Sequence, residues 1–353
     1  MEPLPDELLA ADAALHAVLT RIQFSAYLNP ENITEARAAF FAGAESPPFV
    51  YAPATWAEDA RAALSGLRIP RSHPLGAELA ATVAETLALV DALDRRDAGS
   101  FEELARLCDW LPEAEEPIPA TPPTPLIAPE IGSDRMFATL RDALRARGLT
   151  DWQLVWDPVM ASRLLVDAAR RTVRMNPAAR FRDTDRVGMV AHEIDVHATR
   201  AAAGARQPLR MFETGLANAL LTEEGLAIAA EEHVKALSPA FYTHHALLVQ
   251  AVWLGRKEGF RAVFDAITPI AGRAGAWQIA LRVKRGLANP GAPGVYAKDT
   301  VYLRGVRKVK AWLAAGGDVR LLYVGKVGIH HPVGAWIRAG WITPGNVPGM
   351  WER

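Results

Sequence analysis

The chain has 353 residues, half of them hydrophobic and 22% charged, with a formal net charge of -1 at pH 7; this is the balance of a globular protein with room for a sizeable core, and it gives no electrostatic ground for a nucleic-acid partner. A single cysteine, Cys108, excludes an intramolecular disulfide and any Cys-rich zinc site. No apolar run nears the ~18 residues needed to span a bilayer, and the acidic, proline-bearing opening predicts no cleaved secretory signal, so a cytoplasmic location is expected.

In chain order, Leu8, Leu15, Val18, Leu19 and Ile22 recur at helical spacing until Asn29-Pro30 stops the pattern. Thr55 with Glu58, and Ser100 with Glu103, have the spacing of a capping box and are each expected to open a helix. Between them Leu79, Val83, Leu87 and Val90 mark one face of a long helix. Seven prolines from Pro112 to Pro129 cannot lie in a helix. The expected organisation is therefore a helical region over 1–115, a proline-rich linker over 116–130 and a catalytic domain over 131–353. A helix near 133–147, closed by Gly148, leads into the one convincing strand signal: an alternating run at 152–156, then β-branched runs at 162–167 and 171–175 that end at Asn176-Pro177. Helical patterns return afterwards. The fold class expected is α+β, predominantly α, with a metallopeptidase-like core and a small sheet beside the helix described next.

That helix, starting near Asp183 or Thr184 and ending by Gly204, carries His192-Glu193-Ile194-Asp195-Val196-His197. With 9 histidines in the chain, an H-E-x-x-x-H pattern arises by chance about 0.01 times per sequence of this composition. On an ideal α-helix, residues five apart diverge by about 140°, too far to serve one ion. A π-type widening would bring the two rings onto one face, and such bulges are frequent at functional sites, so a widened turn is predicted between His192 and His197. A catalytic Zn2+ takes three protein ligands and leaves one position open. The third is expected from Thr222-Glu223-Glu224-Gly225 on another helix, and adjacent helical residues diverge by about 100°, so only one of Glu223 and Glu224 can face the metal. Glu193, directly after the first histidine, stands where such helices place the general base. The adjacent pairs His244-His245 and His330-His331 are expected on helix surfaces or at caps.

These residues, together with Asn29-Pro30-Glu31-Asn32, Arg174-Met175-Asn176-Pro177, Gln207-Pro208-Leu209, Glu224-Gly225-Leu226-Ala227 and Lys298-Asp299-x-Val301-Tyr302-Leu303, resemble the bacterial QEGLA-motif ("flavohemoglobin expression-modulating") proteins. Those are similar to the microtubule-associated tyrosine carboxypeptidases. The resemblance implies one Zn2+ per chain on His192, His197 and Glu224, with Glu193 catalytic, and a substrate that is a peptide or protein C-terminal tail. Two positions depart from the pattern: Asp195 stands at an expected glycine, and Glu223 replaces the motif's glutamine. Either carboxylate is expected to add negative charge near the metal.

A carboxypeptidase needs a fixed cation for the substrate's free carboxylate, best supplied by arginine. Arg282, Arg285 and Lys298 are the candidates, with Tyr302 as a hydrogen-bond donor to a developing oxyanion. The alternative is a zinc-binding regulatory protein without turnover.

Overall fold

The computed structural model describes residues 3–116, 130–158, 160, 162–238 and 240–352; the expected linker at 116–130 falls almost wholly on 117–129, outside the described residues. Six helices come first: α1 (Asp6–Arg21), α2 (Phe24–Leu28), α3 (Ile33–Phe41), α4 (Ala57–Ser65), α5 (Pro74–Arg95) and α6 (Ala98–Leu107). A mixed segment follows, with β1 (Ile131–Gly132), α7 (Ser133–Ala146), β2 (Gln153–Trp156), β3 (Leu164–Asp167), β4 (Thr172–Met175) and β5 (Arg180–Phe181). α8 (Asp185–Met189), a π-helical segment (Val190–Ala198) and α9 (Thr199–Gly204) then run on as one rod, the motif helix. After it come α10 (Met211–Thr214), α11 (Leu220–His233), α12 (Phe241–Gly255), α13 (Phe260–Lys284), α14 (Thr300–Ala314) and α15 (Val333–Arg338). Among the described residues no helix is long and apolar enough to cross a membrane.

Two expected caps are corrected. α6 begins at Ala98 because the Asp97 carboxylate accepts from Ser100 N at 2.8 Å, so Asp97 is the cap and Ser100 lies inside the first turn. α4 starts at Ala57, behind Trp56, with no side-chain cap from Thr55.

The three strands read from the sequence form one sheet in the order β2-β4-β3, with β2 parallel and β3 antiparallel to β4. β3 is thus an edge strand. The residues of 1–115 pack in continuity with the rest of the chain. Leu8, Leu15, Leu79 and Val83 share a core with Ala191, Val196, Leu226 and Tyr323. Phe40, Ala92, Phe101 and Leu104 share another with α12 and α13, around Leu248, Phe264 and Trp277. A third core joins α7 and the sheet to the motif helix through Ile194, Ala198 and Ala201. The motif helix is therefore gripped by apolar contacts on two sides, which fixes the direction of its remaining face.

α11 and α14 cross almost backbone to backbone. A Cβ on Gly225 would sit 2.3 Å from the Gly305 carbonyl carbon, and one on Gly305 would sit 2.2 Å from Leu221 O. Only glycine fits at either position. The close crossing brings the first turn of α14, with Lys298 just before it and Tyr302 within it, against Glu224.

Candidate metal centre and its cavity

The widened turn expected from the five-residue spacing is present. Residues 190–198 are π-helical, and Thr199 reinforces the wider turn by donating its hydroxyl to Ile194 O at 2.8 Å. The His192 and His197 rings consequently face one another with centroids 4.8 Å apart. A nitrogen of each ring and a Glu193 carboxylate oxygen lie within 4.8 Å of one another.

α11 supplies three carboxylates to this face. Glu231 Oε1 is 2.7 Å from His192 Nδ1, and Glu223 Oε1 is 2.7 Å from His197 Nδ1. In its neutral form each imidazole would then carry its proton on Nδ1 and leave Nε2 as the acceptor, the arrangement found around metal-ligating histidines. Both Nε2 atoms turn toward one carboxylate oxygen, Glu224 Oε2, at 3.8 Å from His192 and 3.6 Å from His197. Ligand atoms about 2.0–2.1 Å from a tetrahedral Zn2+ lie roughly 3.4 Å apart. Two neutral imidazoles and one carboxylate at these separations fit such an ion. Glu224 and Glu231 share a face because seven residues make nearly two turns. Glu223, about 100° away, reaches His197 from the side.

Burial disfavours the charged form of His192, yet the hydrogen bond it donates to Glu231 and the nearby Glu193 and Glu224 carboxylates outweigh it and raise its pKa to about 9. His197 is raised for the same reason by Glu223 and Glu224. Burial alone would raise Glu223 and Glu224, but cations win: Arg200 and Lys326 hold Glu223 well below the usual carboxylate range, and Lys298 with His197 does the same for Glu224. In the absence of a cation the imidazoles thus compete for protons that a metal displaces on binding.

The two departures from the family pattern sit differently from what the sequence suggests. Asp195 points away from the site and accepts a two-pronged pair from Arg147, at 2.6 and 3.2 Å. The negative charge of Glu223 is met by Arg200 and Lys326. Neither carboxylate is left as free negative charge at the metal position.

The cluster opens on a cavity of about 660 Å³ whose walls include His192, Glu193 and Glu231. Leu164 of the edge strand β3 borders it. Its far wall is largely apolar, formed by Phe241 and Leu247 of α12 and Ala271 and Ile279 of α13. α13 breaks at Gly272, whose φ of 66° and ψ of 167° are open to glycine, and so bends around this space. His244 and His245, expected on a helix surface, line the cavity instead. His245 stacks 4.0 Å from Phe241 and 5.1 Å from Tyr302, and burial lowers its pKa to about 3, so it is neutral. In the other pair His331 is structural: its Nδ1 accepts from Gly328 N at 2.7 Å and its Nε2 is 3.3 Å from Glu78.

Of the four residues expected to bind substrate, Tyr302 lies on the cavity wall. Arg282 is turned to the fully buried Asp299, at 2.8 and 2.6 Å, and Arg285 reaches the same carboxylate at 3.9 Å. Lys298 Nζ is 3.5 Å from Glu224 Oε1. These three cations are thus spent on carboxylates, two on Asp299 and one on the ligand candidate. The arginines that do line the cavity are Arg163, Arg180 and Arg182, none of them singled out by the sequence. Arg163 and Arg182 share Asp185, and Arg180 has no ion-pair partner among the described residues. The remaining sequence motifs hold the scaffold. Gln207 pins the 324–343 segment through Val324 O, Thr343 O and Thr343 N, and Asn176 ties β4 to Met160 O.

Comparison with known proteins follows the same lines. Residues 120–353 match the family model for the microtubule-associated tyrosine carboxypeptidases. Microtubule-associated tyrosine carboxypeptidase 1 of Mus musculus is 29% identical over 183 residues, covering 50% of this chain and 38% of its own length. The Homo sapiens protein of that name is 32% identical over 162 residues, covering 44% and 34%, and that of Rattus norvegicus is 30% identical over the same span and shares. The chain thus spans little more than a third of the length of these relatives. Because the family model covers about two thirds of the chain, including every residue of the metal cluster, this chain belongs to the microtubule-associated tyrosine carboxypeptidase family.

Proposed function

We propose that the chain is a zinc-dependent carboxypeptidase of the bacterial QEGLA-motif branch, acting in the cytoplasm on the C-terminal tail of a peptide or protein. What carries this reading is the convergence of His192 Nε2, His197 Nε2 and Glu224 Oε2, each histidine held at Nδ1 by a carboxylate, beside a cavity lined by His192 and Glu193. The relatives' names describe tyrosine carboxypeptidases, which supports the same reaction class.

A Zn2+ held by His192, His197 and Glu224 would supply Lewis acidity, acidifying water and polarising a carbonyl. Glu193 accepts a proton from the attacking water and returns it to the leaving amine, so hydrolysis places hydroxyl on the carbonyl carbon and hydrogen on nitrogen. Tyr302, on the cavity wall and kept protonated by burial and by Glu224 nearby, donates its hydroxyl to the carbonyl oxygen as negative charge develops there. The free edge of β3 offers backbone hydrogen bonds to an extended substrate. The apolar wall of α12 and α13 receives the side chain of the terminal residue. Its carboxylate meets an arginine of the rim, Arg180 foremost.

The test is mass spectrometry of one peptide offered as free acid and as C-terminal amide, with and without a chelator. The reading requires loss of the last residue from the acid, slow or absent cleavage of the amide, and no turnover in chelator. Zinc binding without turnover of any peptide would leave the regulatory-protein alternative. Release of N-terminal residues would overturn the carboxypeptidase direction.

A further inference from the structure

The two histidines reach the site with unequal support. Glu231, which holds His192, lies on the cavity wall, and no lysine or arginine pairs with it among the described residues. Glu223, which holds His197, is 3% exposed and enclosed by cations. Its Oε1 lies 2.7 Å from His197 Nδ1 and 3.1 Å from Lys326 Nζ, and its Oε2 accepts from Arg200 Nη1. Arg200 is wholly buried three residues beyond His197, and its other donors are taken by Leu322 O at 2.7 Å and Val327 O at 2.6 Å.

A carboxylate accepting from Nδ1–H selects the tautomer whose Nε2 lone pair faces the metal position, and the second bond from the carboxylate decides whether the ring can swing. Here that second bond runs to a guanidinium clamped by two carbonyls of the segment 322–327. We propose that Glu223 is a positioning residue for His197, locked by Arg200 and Lys326, so that a segment more than a hundred residues away in sequence sets how well the ligand set holds its metal. The two cations offset the charge of Glu223, so its contribution is orientation and not added negative charge. This inference rests on reading His192, His197 and Glu224 as the ligands.

The experiment measures Zn2+ affinity of the full chain by competition with a chelating chromophore, alongside thermal unfolding of the metal-free protein. Glu223→Ala is expected to weaken zinc binding by about 10- to 100-fold. Glu223→Gln keeps an acceptor for Nδ1–H and is expected to recover most of that loss. Lys326→Met, which touches no ligand, is expected to weaken binding by about 2- to 10-fold, and it reads out the relay even if Glu223→Ala fails to fold. Affinity within twofold of wild type in Glu223→Ala or Lys326→Met, with only the unfolding temperature lowered, would reduce Glu223 to a structural role and overturn the relay alone. A wild-type chain that binds no zinc, or a His197→Ala chain that binds it normally, would overturn the ligand reading and the relay with it.

Discussion

On one side of the cavity the motif helix and α11 crowd His192, Glu193, His197, Glu223, Glu224 and Glu231 together, and paired groups fix the rings and the carboxylate that faces them. On the other side α12 and α13 present Leu247, Ala271 and Ile279 around a neutral, stacked His245. The first wall is costly to bury, and its α11 carboxylates are partnered: Glu223 by Arg200 and Lys326, Glu224 by Lys298 and Glu231 by His192. The second is ordinary apolar packing with a space left in it. Under the proposed function the contrast divides the work: the charged wall would act on the peptide bond, and the apolar wall would select which residue is presented. Substitutions on the two walls should therefore fail in different ways.

The largest effects belong to the charged wall. Glu193→Gln is expected to lower kcat by about 10²- to 10⁴-fold, the usual contribution of a general base, with zinc content unchanged by elemental analysis. His192→Ala and His197→Ala should lose both metal and turnover. Full activity in Glu193→Gln would remove the general-base role and merge the two walls into one binding surface.

Next come the glycines that let α14 bring Tyr302 and Lys298 to Glu224. Gly225→Ala and Gly305→Ala each place a Cβ within 2.4 Å of backbone atoms, which the crossing cannot absorb without shifting. Each should cost about 3 kcal/mol or more in denaturant-induced unfolding. A loss below about 1 kcal/mol would mean that the helices separate cheaply and that the crossing does not position the site.

Smaller and more selective is the effect expected on the apolar wall. Ala271→Leu fills part of the cavity and should lower kcat/KM for peptides ending in a bulky residue by about 10- to 100-fold, the scale of pocket discrimination. Zinc affinity and turnover of peptides ending in a small residue should hardly change. An equal loss on all peptides would break the division between the walls.

The smallest effect compares buried acids with and without cations. Glu85 accepts from Asn218 N at 2.8 Å, and burial, opposed by that bond and by Cys108, raises its pKa from 4.5 to about 7. Its folded pKa lies above the unfolded one. It therefore contributes stability in full below about pH 4.5, and the contribution is lost as pH rises through about 7. Glu85→Gln should flatten the stability profile across that window. Glu223 and Glu224, held low by cations, should show the opposite sign at more acidic pH, with stability lost as they protonate. An unchanged profile in Glu85→Gln would show that burial does not raise this acid.

Much of the charged wall was legible in the sequence, and very little of the apolar one. The five-residue spacing of the histidines was enough to anticipate the π-helical turn, since an α-helix would have left the rings about 140° apart. Helical geometry likewise required that Glu223 and Glu224 have different partners, without saying what Glu223 would meet. Glu231 was missed although its signal was present: it lies seven residues after Glu224 and so on the same face. Arg282 and Arg285 misled because they flank a motif, when their partner is the buried Asp299 of that motif.

By itself the sequence determined what depends on periodicity along one element: the helices and the three short strands, the shared face of His192 and His197 on the motif helix, and the exclusion of a Cys-rich metal site in a chain with one cysteine. Tertiary structure alone decided which side chains meet across long separations. Arg200 is clamped by carbonyls 122 and 127 residues away, His244 and His245 are turned inward, Arg163 comes to the cavity just before the edge strand β3, and Arg180 and Arg182 come with β5, which pairs separately with β1. The reason is physical. Spacing fixes the angle of a side chain about its own helix or strand, whereas its partner depends on how those elements pack, and here that packing rests on cores shared between distant parts of the chain and on one glycine-to-glycine crossing of α11 with α14.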